Sequence, residues 1–209
     1  MVRGTGTTLK ERILAEARRV LEAEGMRALS TRRLAKAVGC TATSLYIYFD
    51  NKEALLQALL EEGFEMLGDQ LEACAANEGT AERPRSLART YIDFGLANPA
   101  WYELMFLLPA DHLGAPYPPE KYRQGRKHLE RLCKALTASP ACDLKTAQDL
   151  TEATLLWSSL HGLVSLLLAG RVDAALDHQA LIDATLDRAF LSLNASETAP
   201  VSSPLDLSS

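Results

Sequence analysis

Paired cysteines are missing from this sequence. Cys40, Cys74, Cys133 and Cys142 form no C-x-x-C unit and stand near no histidine at zinc spacing, which argues against a disulfide framework and a structural metal alike. They read as reduced thiols of a cytoplasmic protein. Turn formers are also few, with 12 Gly and 9 Pro in 209 residues, and β-branched alternating runs are scarce, while Ala, Leu, Glu and Arg dominate. That composition predicts an all-α chain, long enough to bury a core without staples. The N-terminus has an early Arg3 but no apolar run ahead of small residues, so it reads as a short flexible arm and not as a secretory signal.

Catalytic signatures are missing too. Asp149, Ser158, Ser159 and His161 lie close together in the chain, yet no nucleophile elbow, oxyanion donor set or Gly-rich phosphate loop accompanies them. No enzyme and no cofactor are expected. Long charge-free runs are absent with one exception, residues 153–170, which reach the lower length limit of a membrane span. Ser158, Ser159, His161, Gly162 and Ser165 interrupt that run, so a helix buried on nearly all sides in a soluble assembly fits it better.

What is present is uneven charge. Taken alone, the net charge of −5 argues against a polyanionic partner, because a protein that holds phosphate normally carries a basic face. Residues 1–52, however, carry ten Lys or Arg (Arg3, Lys10, Arg12, Arg18, Arg19, Arg27, Arg32, Arg33, Lys36, Lys52) against five acids (Glu11, Glu16, Glu22, Glu24, Asp50), which leaves −10 for the remainder. Such asymmetry marks the basic part for contact with nucleic acid or a membrane surface.

The basic part is also the one with the clearest punctuation. Thr8 and Glu11 form a capping box for a first helix that carries Leu9, Ile13, Ala17, Val20 and Leu21 and stops at Gly25. Ser30 or Thr31 caps a second helix with Leu34, Ala35 and Val38 inward, ended by Gly39. Thr41 caps a third, very short one that buries Leu45 and Phe49 and leaves Thr43, Ser44, Tyr46 and Ile47 outside. Two helices joined by a tight Gly-containing turn are a helix-turn-helix. A short helix studded with Thr41, Thr43, Ser44, Tyr46 and Tyr48 meets the demand of a duplex groove, where donors and small apolar groups read base edges and a second helix braces the backbone. Arg32 and Arg33 begin the bracing helix, and Lys52 begins the next one, for which Asp50 and Glu53 offer a cap and its N3 partner.

At these residues the chain resembles the DNA-binding domain of the tetracycline-repressor (TetR) family of transcriptional regulators. The resemblance covers residues 9 to about 65 and is carried by Leu45, Tyr46, Ile47, Tyr48, Phe49, Lys52, Glu53 and Leu55, which spell L-Y-x-[HY]-F-x-x-K-[ED]-x-L. It implies that Thr31, Thr41, Tyr46 and Lys52 hold phosphates and that Arg32, Thr43, Ser44 and Ile47 face bases. Tyr48 replaces the commoner His.

After a polar connector with Gly79 and Pro84, helices are expected at about 85–97, from Pro99 onward, and at about 120–138, 144–169 and 178–193, with a Pro-rich loop at 108–120 and a disordered tail at 194–209. Trp157, His161 and Gly162 resemble the C-terminal domain of the subclass of these regulators named for those three residues. Tyr91, Phe94, Trp101, Tyr102, Met105, Phe106 and Trp157 offer a polarizable lining for a small apolar effector, with His161 as its polar group. The same stripe fits an ordinary core. The reading is therefore a helix-turn-helix domain at 1–52 and a helical effector-binding and dimerisation domain at 53–193. The partners expected are double-stranded DNA with a palindromic operator, a small hydrophobic or aromatic molecule, and a second copy joined through the two C-terminal helices.

Overall fold

In the computed structural model the described residues are 8–77, 79, 82–107 and 147–196. Their regular structure is all helical: α1 (Leu9–Glu24), a 3-10 turn (Met26–Ala28), α2 (Thr31–Val38), α3 (Ala42–Tyr46), α4 (Lys52–Asn77), α5 (Arg83–Ala97), α6 (Pro99–Tyr102) running into one π-helical turn (Glu103–Leu107), α7 (Ala147–Leu168) and α8 (His178–Ser196). The expected helix at 120–138 and the Pro-rich loop lie outside the described residues. Residues 194–196 of the expected tail belong instead to α8, which runs to Ser196 and so past the expected end at 193, and residues 197–209 lie outside the described residues. Among the described residues no helix is long and apolar enough to cross a membrane.

Local chemistry explains the boundaries. Thr8 and Glu11 close a reciprocal capping box on α1, with Glu11 N–H donating to Thr8 Oγ1 at 3.2 Å and Thr8 N–H to Glu11 Oε2 at 2.7 Å. α2 ends in a Schellman motif: Gly39 adopts φ 73°, its N–H reaches the Lys36 carbonyl and the N–H of Cys40 reaches that of Ala35. Only glycine takes that left-handed conformation without strain. The cap of α4 differs from the expectation, since Asn51 and not Asp50 accepts the N–H of Ala54, at 2.7 Å. Asp50 stands one residue too far back to reach the orphan donors of the first turn.

α1, α2 and α3 pack around Ile13, Ala17, Val20, Leu21, Leu34, Val38, Leu45 and Phe49. The Arg12 guanidinium donates to the Val38 carbonyl and so closes α1 onto the end of α2. α4 buries Leu55, Leu56, Leu59 and Leu60 against this unit and continues, through Leu67 and Leu71, along the second core made with α5, α7 and α8. The buried apolar residues of the two parts form one continuous cluster.

Two glycines bring the middle of the molecule close together. A Cβ on Gly63 of α4 would stand 2.8 Å from Met105 Sδ and 3.1 Å from Trp101 Cε3, and one on Gly95 of α5 would stand 2.7 Å from Val164 Cγ1 and 2.9 Å from Tyr102 Cδ2. α6 and its π turn therefore sit wedged against α4 on one side and α5 and α7 on the other. π turns appear where a helix must accommodate an extra residue, often beside a functional site.

Candidate nucleic-acid interface and the aromatic cluster behind it

The extended backbone of Thr41 turns its hydroxyl onto the first turn of α3, where it accepts from the N–H of Ser44 at 3.0 Å and lies 2.8 Å from Ser44 Oγ. With Leu45 and Phe49 buried, the opposite face is forced outward. Ile47 is 76% exposed, Tyr46 45% and Tyr48 42%. Three large side chains thus stand exposed side by side at the end of α3 and just after it, and clustered exposed apolar groups mark interaction surfaces. Tyr46 OH stands 3.4 Å from Thr31 Oγ1, so the start of α2 and the end of α3 present their hydroxyls together. Thr43, Arg32 and Lys52 are exposed, and Thr31 and Ser44 are half-buried.

Arg33 differs from its neighbour Arg32. Its guanidinium forms a bidentate pair with Glu24, which lifts the Arg33 pKa and lowers that of Glu24, in both cases chiefly through the hydrogen bonds of the pair. It is a brace between α1 and α2 in this structure. Lys10 sits over the Phe49 ring at 5.8 Å from its centroid, the distance of a cation–π contact.

The C-terminal residues singled out by sequence separate into two groups. Tyr91, Tyr102, Phe106, Trp157 and His161 meet in one cluster, with Phe106 at its centre: ring centroids lie 5.8 Å away for Tyr91, 4.9 Å for Tyr102, 6.1 Å for Trp157 and 5.9 Å for His161. A line of hydrogen bonds threads it. Trp157 Nε1–H donates to Tyr91 OH at 3.0 Å, Tyr91 OH lies 3.0 Å from Tyr102 OH, and Tyr102 OH lies 2.6 Å from His161 Nδ1. Tyr91 and Tyr102 are fully buried, while Phe106, Trp157 and His161 form the half-buried edge. Burial pushes the Tyr102 phenol up to about 12, pushes Tyr91 higher still, and holds the His161 pKa below its ordinary value.

Trp101, Met105 and Phe94 belong elsewhere. Phe94 is buried in the core of α5 and joins no ring contact of the cluster. Met105 fills the notch at Gly63. Trp101, buried, donates its Nε1–H to Glu22 Oε1 of α1 at 3.0 Å. Neighbouring residues of α6 thus face opposite ways, Trp101 toward the basic unit and Tyr102 toward His161. Sequence reasoning gave Glu22 no role, because one acid on an exposed helix face carries no signal of its partner. Gly63 and Gly95 did carry one, since glycine inside a helical pattern marks a close approach.

Comparison with known proteins agrees with this geometry. Residues 13–59 match the family model of bacterial regulatory proteins, tetR family, and residues 85–189 match a tetracyclin repressor-like C-terminal domain. A nucleoid occlusion factor SlmA from Haemophilus influenzae is 36% identical over 97 residues, which cover 44% of this chain and 44% of that one. The chain thus spans less than half the length of that relative. A protein with unknown function from Rhodococcus sp. RHA1 superposes with a TM-score of 0.69 at 26% identity, over 92% of this chain and 98% of that one. A TetR transcriptional regulator from the same organism shares the fold, with a TM-score of 0.61 at 20% identity over 87% and 95% of the two chains. An exposed, hydroxyl-bearing α3 braced by α2, joined to a helical domain that matches in its own right, makes this chain a member of the tetR family of DNA-binding regulators.

Proposed function

We propose that the protein is a homodimeric, ligand-responsive repressor in which α3 enters the major groove of a palindromic operator. The observation that carries this reading is the exposure of Tyr46, Ile47 and Tyr48 beside the hydroxyls of Thr31, Thr41 and Thr43. Thr31, Thr41, Tyr46 and Lys52 take phosphates; Arg32, Thr43, Ser44 and Ile47 take base edges, with Tyr48 at their margin. Residues 1–52 form the reading unit and 53–193 the effector and dimerisation unit, with α4 shared between them in the packing.

The second copy docks on α7 and α8. Leu155 and Leu166 are exposed on α7, and Ser158 and Gly162 between them allow close approach in a two-fold four-helix bundle. Two recognition helices then reach successive major grooves if they stand one helical turn apart, roughly 34 to 36 Å. Tyr91, Tyr102, Phe106, Trp157 and His161 line the effector site, and Trp157, His161 and Gly162 favour the subclass named for them. A small apolar or aromatic molecule that prefers the other spacing by about 1 to 3 kcal/mol lowers operator affinity about 5- to 150-fold. α6 links the two events, since it touches the cluster through Tyr102 and α1 through Trp101 and Glu22.

Selection of fragments bound from random duplex DNA by the purified protein tests the reading. A palindrome with half-sites one turn apart is the expected result. Enrichment of no sequence, or affinity for duplex DNA that does not fall with salt, overturns it.

A further inference from the structure

The hydrogen-bond line through the aromatic cluster has a fixed direction, because its first member can only donate. The indole N–H of Trp157 donates to the Tyr91 oxygen. Tyr91 is fully buried, so its own proton has one polar neighbour to go to, the Tyr102 oxygen at 3.0 Å. The reverse arrangement leaves the Tyr91 hydroxyl proton buried without an acceptor, at a cost of about 1 to 3 kcal/mol. Tyr102 is fully buried as well, and its proton goes to His161 Nδ1 at 2.6 Å. His161 is therefore neutral with its proton on Nε2.

Among the described residues that Nε2–H is the poorly satisfied group of the line. Its hydrogen-bond neighbour there is Ser165 Oγ at 3.5 Å, one turn further along the same helix and at the outer limit of hydrogen bonding. The line thus delivers a donor, and only a donor, to the half-buried edge where Phe106 and Trp157 offer their rings.

We propose that the effector presents a hydrogen-bond acceptor, a carbonyl or carboxylate oxygen on an aromatic or otherwise apolar body, to Nε2–H of His161. The proposal rests on the effector site described above and adds the chemical class that it takes. A ligand whose polar group is an ammonium meets a donor there and is rejected.

Three probes on one ring system test it: 2-naphthoate, 2-acetylnaphthalene and (2-naphthyl)methylammonium, titrated against the full chain by tryptophan fluorescence and calorimetry. The naphthoate and the ketone are expected to bind at least about ten-fold more tightly than the ammonium, a difference of about 1.4 kcal/mol. Tighter binding of the naphthoate than of the ketone identifies an anionic effector, and equal binding a neutral acceptor. His161→Leu removes the preference, and His161→Gln, which keeps an N–H donor, restores part of it. Nitrogen-15 spectra of the unsubstituted protein are expected to show the Nε2–H tautomer of His161 before any probe is added. Ammonium binding equal to or tighter than the others, or an Nδ1–H tautomer, overturns the proposal while leaving the effector site standing. Binding of none of the three at millimolar concentration overturns the site and the proposal together.

Discussion

Lys52 and Arg32 are both exposed cations of the basic unit, yet their loss is expected to act differently. Lys52 begins α4, beside the capping residue Asn51, and in the proposed reading it takes a phosphate whatever the sequence. Lys52→Ala should weaken binding to all duplexes alike and lower the slope of log affinity against log salt by about one. Arg32→Ala should cost about 1 to 3 kcal/mol at particular base pairs and relax preference there. Quantitative binding to an operator and to a scrambled duplex separates the two, and equal loss on both for Arg32→Ala would sink its assignment. His161 gives a test that needs no DNA. Burial depresses its folded pKa below the ordinary 6.5, so between those two values the unfolded chain holds more protons than the folded one. Stability is accordingly full above about pH 6.5 and falls as the pH drops below it, with a slope of at most about 1.4 kcal/mol per pH unit for one proton. Denaturant unfolding of the wild type and of His161→Gln across pH 5 to 8 should show a slope that the variant lacks.

At the level of elements, α6 is where two domains share one short helix. Glu22→Ala removes the acceptor of the buried Trp101 Nε1–H. It should destabilise the fold by about 1 to 3 kcal/mol. It should also reduce the effect of an effector on DNA affinity more than it reduces DNA affinity itself. Fluorescence anisotropy of a labelled operator with and without effector measures both quantities; an unchanged effector response would remove Trp101 from the coupling. Gly95→Ala tests the wedge from the other side. Its Cβ would meet Val164 and the Tyr102 ring at under 3 Å, so overpacking should cost about 1 to 3 kcal/mol, and thermal unfolding should show it. Helix propensity alone would favour Ala by up to about 1 kcal/mol. A stabilised variant would mean that α5 and α7 have room to part.

The whole molecule reconciles an acidic chain with a polyanionic partner by keeping charge where it is used. The surplus of cations sits in residues 1–52, and the acids of the larger domain are spent partly on its own surface, as in the pairs of Arg85 and Arg89 with Asp183, Asp187 and Asp93. Exposed pairs of that kind are worth little to stability, about 0 to 1 kcal/mol each. In the proposed dimer, two copies joined through α7 and α8 would hold these acidic bodies together, away from the paired basic units. Leu155→Glu with Leu166→Glu should convert a dimer to monomers by sedimentation velocity and cost operator affinity well over ten-fold, because each half-site is then bound alone. A dimer that survives both substitutions would place the interface elsewhere.

Much of the fold was legible in the chain because it is written in local chemistry. The capping box at Thr8, the stops at Gly25 and Gly39, the Thr41 cap and the proline after Asn98 each act within a few residues, and each stands where the sequence placed it. The outward face of α3 was determined the same way, since a five-residue helix that buries Leu45 has only one side left for Thr43 and Tyr46. Asn51 in place of Asp50 shows the limit, for two adjacent side chains with cap-forming oxygens differ only in reach. What the tertiary structure alone decided is who meets whom across the core. Seven aromatic or sulfur-bearing residues and one histidine looked equivalent in sequence, but packing on Gly63 and Gly95 sent Trp101 to Glu22 and Tyr102 to His161. Helical periodicity fixes which face a side chain occupies, whereas its partner depends on how closely two helices approach, and that distance belongs to the assembled molecule.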